Sequence, residues 1–466
     1  MAKAYHNFRV QVAGDGFVRI QEWGAQDPSP QEKPARPFRK KELLDNEEIK
    51  TLLEAASQGE LSDSEQVIRL GEALFEALFD EKLLDTFVES YKNHALDKNQ
   101  LFRFELDIDE QAMPEVAALP WEFMCLPEKA GRGELWLATA PNIVFSRRRT
   151  LWNRAEPIQL GKDEKLRIAL VISAPRGEAV VDYEPVEQAL KDLIEDKGDQ
   201  LELVVVNPAK FGAVDEVLKN HKPHILHFLG HGRLHNEKNE EVGQLAFVND
   251  MGRAIWINAR EFSERFTRHT PGIVVLQACE GGKLSSSKAF VGVASKVVQQ
   301  NIPVVLAMQY EVTNDTAIEF VSRFYWELAD GNPVDVAAQL GRRAIANGPN
   351  LHRTQDFATP VIFMRVRDGY VFQRSNIEDE PRTPKTEVSL NAEFKDFEAE
   401  DAKVVGTKAE ELSGVSASAR FQKFIAKGGE IIGNEIAKAT RGSVTTQMDM
   451  KEGNETNIKG IQIDEV

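Results

Sequence analysis

A thiol and an imidazole, each delivered at the end of an apolar run, are the chemistry-bearing residues of this chain. Cys279 lies in Gln277-Ala278-Cys279-Glu280-Gly281, directly after Ile273-Val274-Val275-Leu276, and 48 residues upstream His231-Gly232 follows Ile225-Leu226-His227-Phe228-Leu229. A thiol attacks an amide as its thiolate, and a nearby imidazole is what activates it. Strand C-terminal ends in an open α/β sheet converge on one crevice, so two residues far apart in sequence meet there if their strands are neighbours. Gly232 lets the backbone approach closely, and its N–H with that of Cys279 could hold the oxyanion of a tetrahedral intermediate. His231, Cys279 and Gly232 together make a minimal acyl-transfer site.

The elements that must position this pair alternate strand and helix from about residue 165 to 374. Strands are expected at Leu166–Ile172 and Leu201–Val206 and at the two runs just named, with helices over Pro185–Ile194 and Val214–Asn220. Gln244–Val248 and Ala254–Ile257 flank Asn249-Asp250-Met251-Gly252 and read as a hairpin. Lys288–Gln300, Asn314–Ala329 and Pro333–Asn347 read as helices around a further strand, Pro303–Met308. Repeated β-then-α with apolar strands implies a mostly parallel sheet with helices on both faces, the α/β class. Residues 1–155 add strands at Phe8–Val12 and Phe102–Ile108, with a helical stripe of Phe75, Leu78, Phe79, Leu83, Leu84 and Phe87 between them.

Beyond residue 374 the character changes. Residues 376–412 hold 11 acidic and 5 basic side chains and read as an acidic linker. Residues 413–466 read as a C-terminal interaction segment, helical or irregular, in which Phe421, Phe424, Ile425, Ile431, Ile432 and Ile436 suggest one helix or a pair broken at Gly428-Gly429. Such a helix needs a partner surface, a second copy of the chain or the body of the protein to cover it, so self-association through this segment is among the expected contacts.

Composition narrows the classes. At 466 residues with 42% hydrophobic and 28% charged side chains, the chain has room for two or three folded units. Its net charge of -17 opposes direct nucleic-acid binding. No apolar stretch reaches the length of a membrane span, and Met1-Ala2-Lys3-Ala4-Tyr5-His6 has no signal-peptide core, so a cytoplasmic protein is expected. Two cysteines, Cys125 and Cys279, fit a reducing compartment; Cys125, within Pro120-Trp121-Glu122-Phe123-Met124-Cys125, reads as a small core residue. His227, His231 and His235 would line one face of a helix as metal ligands, but Gly230 and Gly232 favour a strand ending in a turn. Neither metal nor cofactor is expected.

Q-A-C-x-G with a histidine about 50 residues earlier is the caspase-type nucleophile signature, and this chain has Glu280 where Arg, Gln or Gly is usual. Leu119-Pro120-Trp121-Glu122-Phe123, Phe290-Val291-Gly292-Val293-Ala294, Ile302 to Gln309 and Ala358-Thr359-Pro360-Val361-Ile362-Phe363 extend the likeness. With the dyad, their order resembles the CHAT family, caspase-like peptidases also related to separases, over roughly residues 100 to 374. The resemblance implies a caspase-like sheet, with a degenerate caspase-like subdomain over 1–155 and the peptidase domain over 156–375. It also implies a cysteine endopeptidase acting on a protein substrate and switched on by partner proteins of a bacterial stress or antiphage system. A catalytically silent caspase-like binding scaffold is the alternative. In a sheet of this kind the P1 pocket is lined by the loop after the first strand and by the residue two before the cysteine, which points to Asp182 and Gln277. Separases and metacaspases usually carry an acidic residue where Gln277 stands, so their basic P1 preference does not carry over.

Overall fold

The apolar runs pair into one sheet. The computed structural model describes residues 4–465 except 25–29, 62, 128–134, 149–154, 238–239, 279–284, 300–301, 311, 348–354, 375–388 and the short connections 396–397, 401–402, 414–415, 428–429, 442–443 and 455–456. Met1–Asn376 cluster as one unit and Ile377–Val466 as another.

In chain order the main strands of the first unit are β1 (Tyr5–Val12), β2 (Phe17–Gly24), β3 (Leu101–Ile108), β4 (Ile143–Arg148), β5 (Leu166–Ile172), β6 (Leu201–Val206) and β7 (Ile225–Gly230). They continue with β8 (Gly232–Glu237), β9 (Glu240–Val248), β10 (Ala254–Asn258), β11 (Ile273–Ala278), β12 (Val304–Met308) and β13 (Pro360–Met364). The longer helices are α1 (Glu47–Gln58), α2 (Ser64–Leu78), α3 (Glu81–Tyr91), α4 (Glu184–Lys197), α5 (Phe211–Asn220), α6 (Ser285–Gln299), α7 (Asn314–Ala329) and α8 (Val334–Asn347).

The central sheet runs β6-β5-β7-β11-β12-β13-β4-β3-β1-β2, with the short pieces Gln31–Glu32 and Arg36–Pro37 against β2. β6, β5, β7, β11 and β12 are mutually parallel. β13 turns antiparallel to β12 and is parallel to β4, which continues parallel through β3 to β1. β8, β9 and β10 leave the main sheet as a separate antiparallel one. One apolar cluster gathers α1 to α4, α7 and α8; a second gathers α5, α6 and Phe262 on the opposite side of the parallel strands. This is the α/β arrangement expected, and the halves on either side of residue 155 share a single sheet.

Their join is narrow. β13 and β4 meet at two register pairs, Phe363 with Arg147 and Met364 with Arg148. Buried polar side chains complete it. Arg147 donates to Glu122 at 3.0 and 2.5 Å and to the carbonyls of Ala117 and Leu119 at 3.0 Å. Gln309 donates to the same Glu122 carboxylate at 3.1 Å. Arg342, fully buried on α8, donates to Pro360 O at 2.8 Å and Phe145 O at 2.9 Å, one carbonyl from each half. Its pKa is pushed down by burial to about 10, so it stays charged at neutral pH. Arg103 on β3 pairs with Asp335 on α8 at 2.7 Å, both almost fully buried. Gly71 on α2 is where the Trp121–Phe123 turn packs, since a Cβ there would collide with the Phe123 carbonyl.

In the second unit the expected helix does not form. Ser389–Lys395 (β14), Glu398–Glu400 (β15), Lys403–Ser413 (β16), Ser416–Lys427 (β17), Glu430–Arg441 (β18), Val444–Asn454 (β19) and Asn457–Glu465 (β20) are all strands, so of the stretch 376–412 expected as an acidic linker the part up to 388 lies outside the described residues and the described part is strand. Successive long strands alternate between two parallel sheets, β14 and β15 with β17 and β19, and β16 with β18 and β20. The register shows why. Ser389 pairs with Ser416, Ala417 with Val444, Lys403 with Glu430 and Glu430 with Asn457, each 27 residues apart. Gly406, Gly433 and Gly460 carry the same period, as do Phe394, Phe421 and Met448. The spacing of Phe421, Phe424 and Ile425 suits a helix within one segment, but a 27-residue period stacks equivalent positions from coil to coil as in a solenoid.

The buried clamp on Arg147 yields a measurable expectation. Glu122→Ala leaves that guanidinium buried with its carboxylate gone, and the loss of unfolding free energy should be about 3–5 kcal/mol in denaturant titration. Glu122→Gln, which keeps hydrogen-bonding capacity, should cost less. Equal losses for the two variants would show that the charge, lost in both, sets the cost and that hydrogen bonding and packing add little.

Candidate active site

Three neighbouring parallel strands end in one row. Ile172 on β5 pairs with Leu229 on β7, and Gly230 at the end of β7 pairs with Ala278 at the end of β11. The residues that follow these ends in sequence are Ser173, His231 and Cys279. Cys279 itself lies outside the described residues. Gly230 is held tight against β5: a Cβ there would sit 2.8 Å from Ser173 O and 2.9 Å from Ser173 Cβ, so only glycine permits this approach immediately before His231. Ser173 is fixed in turn, its N–H donating to Leu229 O at 2.8 Å and its hydroxyl to Ala246 O at 2.7 Å.

His231 is buried, 7% exposed, and its Nε2 lies 2.9 Å from the carbonyl oxygen of Ala179. A carbonyl only accepts, so Nε2 carries the proton and Nδ1 is the basic nitrogen of the neutral ring. Burial pushes the pKa of His231 below the usual histidine range, against the smaller opposing pull of the Ala179 carbonyl and the Glu178 charge. The ring is therefore neutral at physiological pH and able to take a proton. Ala179 belongs to the loop after β5, which is pinned to the β9–β10 turn by Arg176 N–H donating to Gly252 O at 2.7 Å. Val180 and Met251 on these two loops are 85% and 76% exposed, unusual for apolar side chains. Ala246 N–H donates to His231 O at 2.9 Å, which makes Gly232 and Leu245 a pair of the non-hydrogen-bonded kind and directs the Gly232 N–H away from β9.

The other sequence candidates have partners of their own. Gln277 is 1% exposed, and its Oε1 accepts from Nε2 of His227 at 3.0 Å, while Tyr325 OH reaches His227 Nδ1 at 3.2 Å. Gln277 is thus spent on a buried strut to α7 rather than presented at a surface. Both ring nitrogens of His227 are occupied, and His231 faces a different partner, so the three-histidine arrangement does not assemble. Asp182 is exposed, and its Oδ2 accepts from Asn314 Nδ2 at 2.6 Å, tying the loop after β5 to the start of α7. Cys125 is buried and in a short strand, as a core residue should be. Sequence reasoning missed the Ala179 carbonyl, for which no side chain could signal, and it missed Tyr325.

The CHAT domain family model matches residues 68–382. No curated protein matches the chain in sequence. Among solved structures it is similar to Saccharomyces cerevisiae separase in its complex with securin, with a TM-score of 0.41 and 13% identity over 77% of this chain and 30% of that one. The chain thus spans under a third of the separase chain. It is similar also to gingipain R, the Arg-specific cysteine proteinase, with a TM-score of 0.37 and 9% identity over 63% of this chain and 68% of that one.

The buried histidines set a pH dependence. His227 and His224 are both pushed down to about 4 from the ordinary 6.5, by burial first, with the Arg167 charge adding at His224. Between those values the unfolded chain binds protons that the folded rings refuse, so stability should fall as pH drops from about 6.5 to about 4 and flatten below. Thermal unfolding across that range should show the drop, and a His224→Asn/His227→Asn variant should show a shallower one. An unchanged slope in the variant would exclude these two rings as its source.

Proposed function

This chain belongs to the CHAT domain family, and from that premise we propose that it is a cysteine endopeptidase with Cys279 as nucleophile and His231 as base. The observation that supports the reading best is the Gly230–Ala278 register pair, because His231 and Cys279 are the next residues of two adjacent parallel strands. His231 Nδ1 takes the thiol proton, and the thiolate adds to the scissile carbonyl carbon. The Gly232 and Cys279 N–H groups hold the resulting oxyanion. Collapse breaks the C–N bond, the leaving amine takes the proton from His231, and a thioester remains. Water, deprotonated by His231, then releases the acid and restores the thiol. The Ala179 carbonyl keeps the ring in the tautomer this sequence of proton transfers needs.

The substrate is a protein. Asp182, exposed on the loop that also carries Ala179, is the side chain we assign to substrate contact, with Gln277 holding the base of the pocket from within the sheet. Regulation falls to partner proteins, in keeping with the bacterial stress or antiphage setting that the resemblance implies, and the second unit is the recruiting element. A cytoplasmic location is part of this reading; among the described residues no helix is long and apolar enough to cross a membrane.

Cys279→Ala and His231→Ala should each abolish substrate cleavage and labelling by an active-site thiol probe, with the thermal midpoint nearly unchanged because neither change removes a large apolar group. Cys125→Ser should keep both. Wild-type cleavage by Cys279→Ala, or a probe found on Cys125 alone, would sink the assignment, and a probe-reactive Cys279 with no cleavage of any candidate partner would favour the silent scaffold.

A further inference from the structure

Four segments that extend the family likeness carry no part of the dyad, and they meet at one cavity. Leu119 and Pro120, Val291 and Gly292, Gln309 and Phe363 represent the four, and together they line a cleft of about 390 Å³ within the first unit. Leu53 of α1 and Leu234 and Glu241 of the β8–β9 hairpin line it as well. Val291 and Phe363 belong to the apolar cluster on the α6 side of the sheet. Gln277 points instead to His227, which meets Tyr325 of α7, and Asp182 is tied to the start of α7. The cleft is therefore separate from the substrate pocket assigned to those two residues.

Two features of its wall call for an occupant. Tyr310 is 7% exposed and lines the cleft, its ring resting on Phe123 with centroids 6.0 Å apart, yet its hydroxyl has no hydrogen-bond partner among the described residues. Burial and the nearby Glu122 charge keep that phenol protonated, so it can donate or accept. A polar group held this deep is costly to leave unmatched. At Gly292 a Cβ would meet no atom within 4 Å, so α6 leaves space open toward the cleft. The charge is one-sided: Glu110, Glu115 and Glu241 line the cleft, and among its described lining residues none is basic. Lys40 matches Glu115, and Glu110 accepts from Ser295 and, at 3.3 Å, from Gln299, both on α6. Glu241 is exposed and has no ion pair among the described residues.

We propose that this cleft binds an aliphatic cation, a guanidinium or primary ammonium on an apolar stem. Leu119, Val291 and Phe363 supply the apolar wall for the stem, the carboxylates supply the charge, and the Tyr310 hydroxyl supplies a hydrogen bond. The same chemical group comes from two sources, a free amine or an Arg or Lys side chain of another protein. The β8–β9 hairpin begins just after His231 and α6 follows the cysteine strand, so an occupant would hold both against the Glu110–Pro120 segment. The site uses no step of the peptidase reading and survives its failure.

The test is calorimetric titration of the full-length protein with butylguanidine, with butylurea as its neutral isostere, and with a blocked peptide carrying one arginine among alanines. Butylguanidine should bind saturably, and butylurea at least about tenfold more weakly, since the carboxylates favour only the cation. Tyr310→Phe removes only the unmatched hydroxyl and should weaken butylguanidine about fivefold. Glu241→Gln should weaken it about threefold and blunt its salt dependence. Gly292→Leu sends a side chain into the open space, suits a helix better than glycine, and should abolish binding. If that variant does not fold, Tyr310→Phe and Glu241→Gln carry the test. A peptide that binds as tightly as butylguanidine supports the site with a protein side chain as its ligand, and exclusion of the peptide alone supports it with a free amine. No saturable binding of either cation, equal binding of butylurea, or affinity unchanged in the folded variants would each overturn the proposal.

Discussion

Glu122 is a carboxylate with no exposed surface, and the Arg147 it neutralises is nearly as deep. Burying such a pair gains little over a well-packed apolar pair, but separating its members is costly, so the geometry around them is narrowly constrained. That constraint falls where the sheet is weakest, at the two-residue contact between β13 and β4. Gln309, which follows the strand beside the cysteine strand, also answers to Glu122. The end of β12 is thereby tied to a residue that lies far from it in sequence and belongs to the other half of the fold.

Two buried histidines a turn of sequence apart show how environment divides labour. His227 is enclosed by Gln277 and Tyr325, which occupy both of its nitrogens and leave neither uncommitted. His231, one residue beyond the end of β7, has one nitrogen held by a backbone carbonyl and the other uncommitted in that bond. Their residue type is the same; what differs is that the first lies within a parallel strand covered by α7 and the second at the strand's end, where backbone groups of loops take over from side chains.

Much of the first unit was legible because apolar runs and helical stripes report burial locally, and the strands flanking His231 and Cys279 fall where those runs lie. Position within the sheet was less so: nothing near Ile143–Arg148 in sequence signals that β4 meets β13, and Arg147 looks like a surface residue until Glu122 and the carbonyls of Ala117 and Leu119 are brought to it. The Ala179 contact was invisible for a different reason, since any residue supplies a carbonyl. Gln277 illustrates a third limit, because a side chain two before a cysteine can face either side of a strand, and only the hydrogen bond with His227 on the neighbouring strand shows which. In the second unit local spacing misled, and a period longer than any helix or hairpin carried the information.

That period sets which changes of length the second unit can absorb. An insertion or deletion of 27 residues between equivalent points keeps every later strand in the register of the earlier ones, whereas any other number displaces Gly433 from Gly406 and Phe421 from Phe394 and breaks the match along a whole ladder.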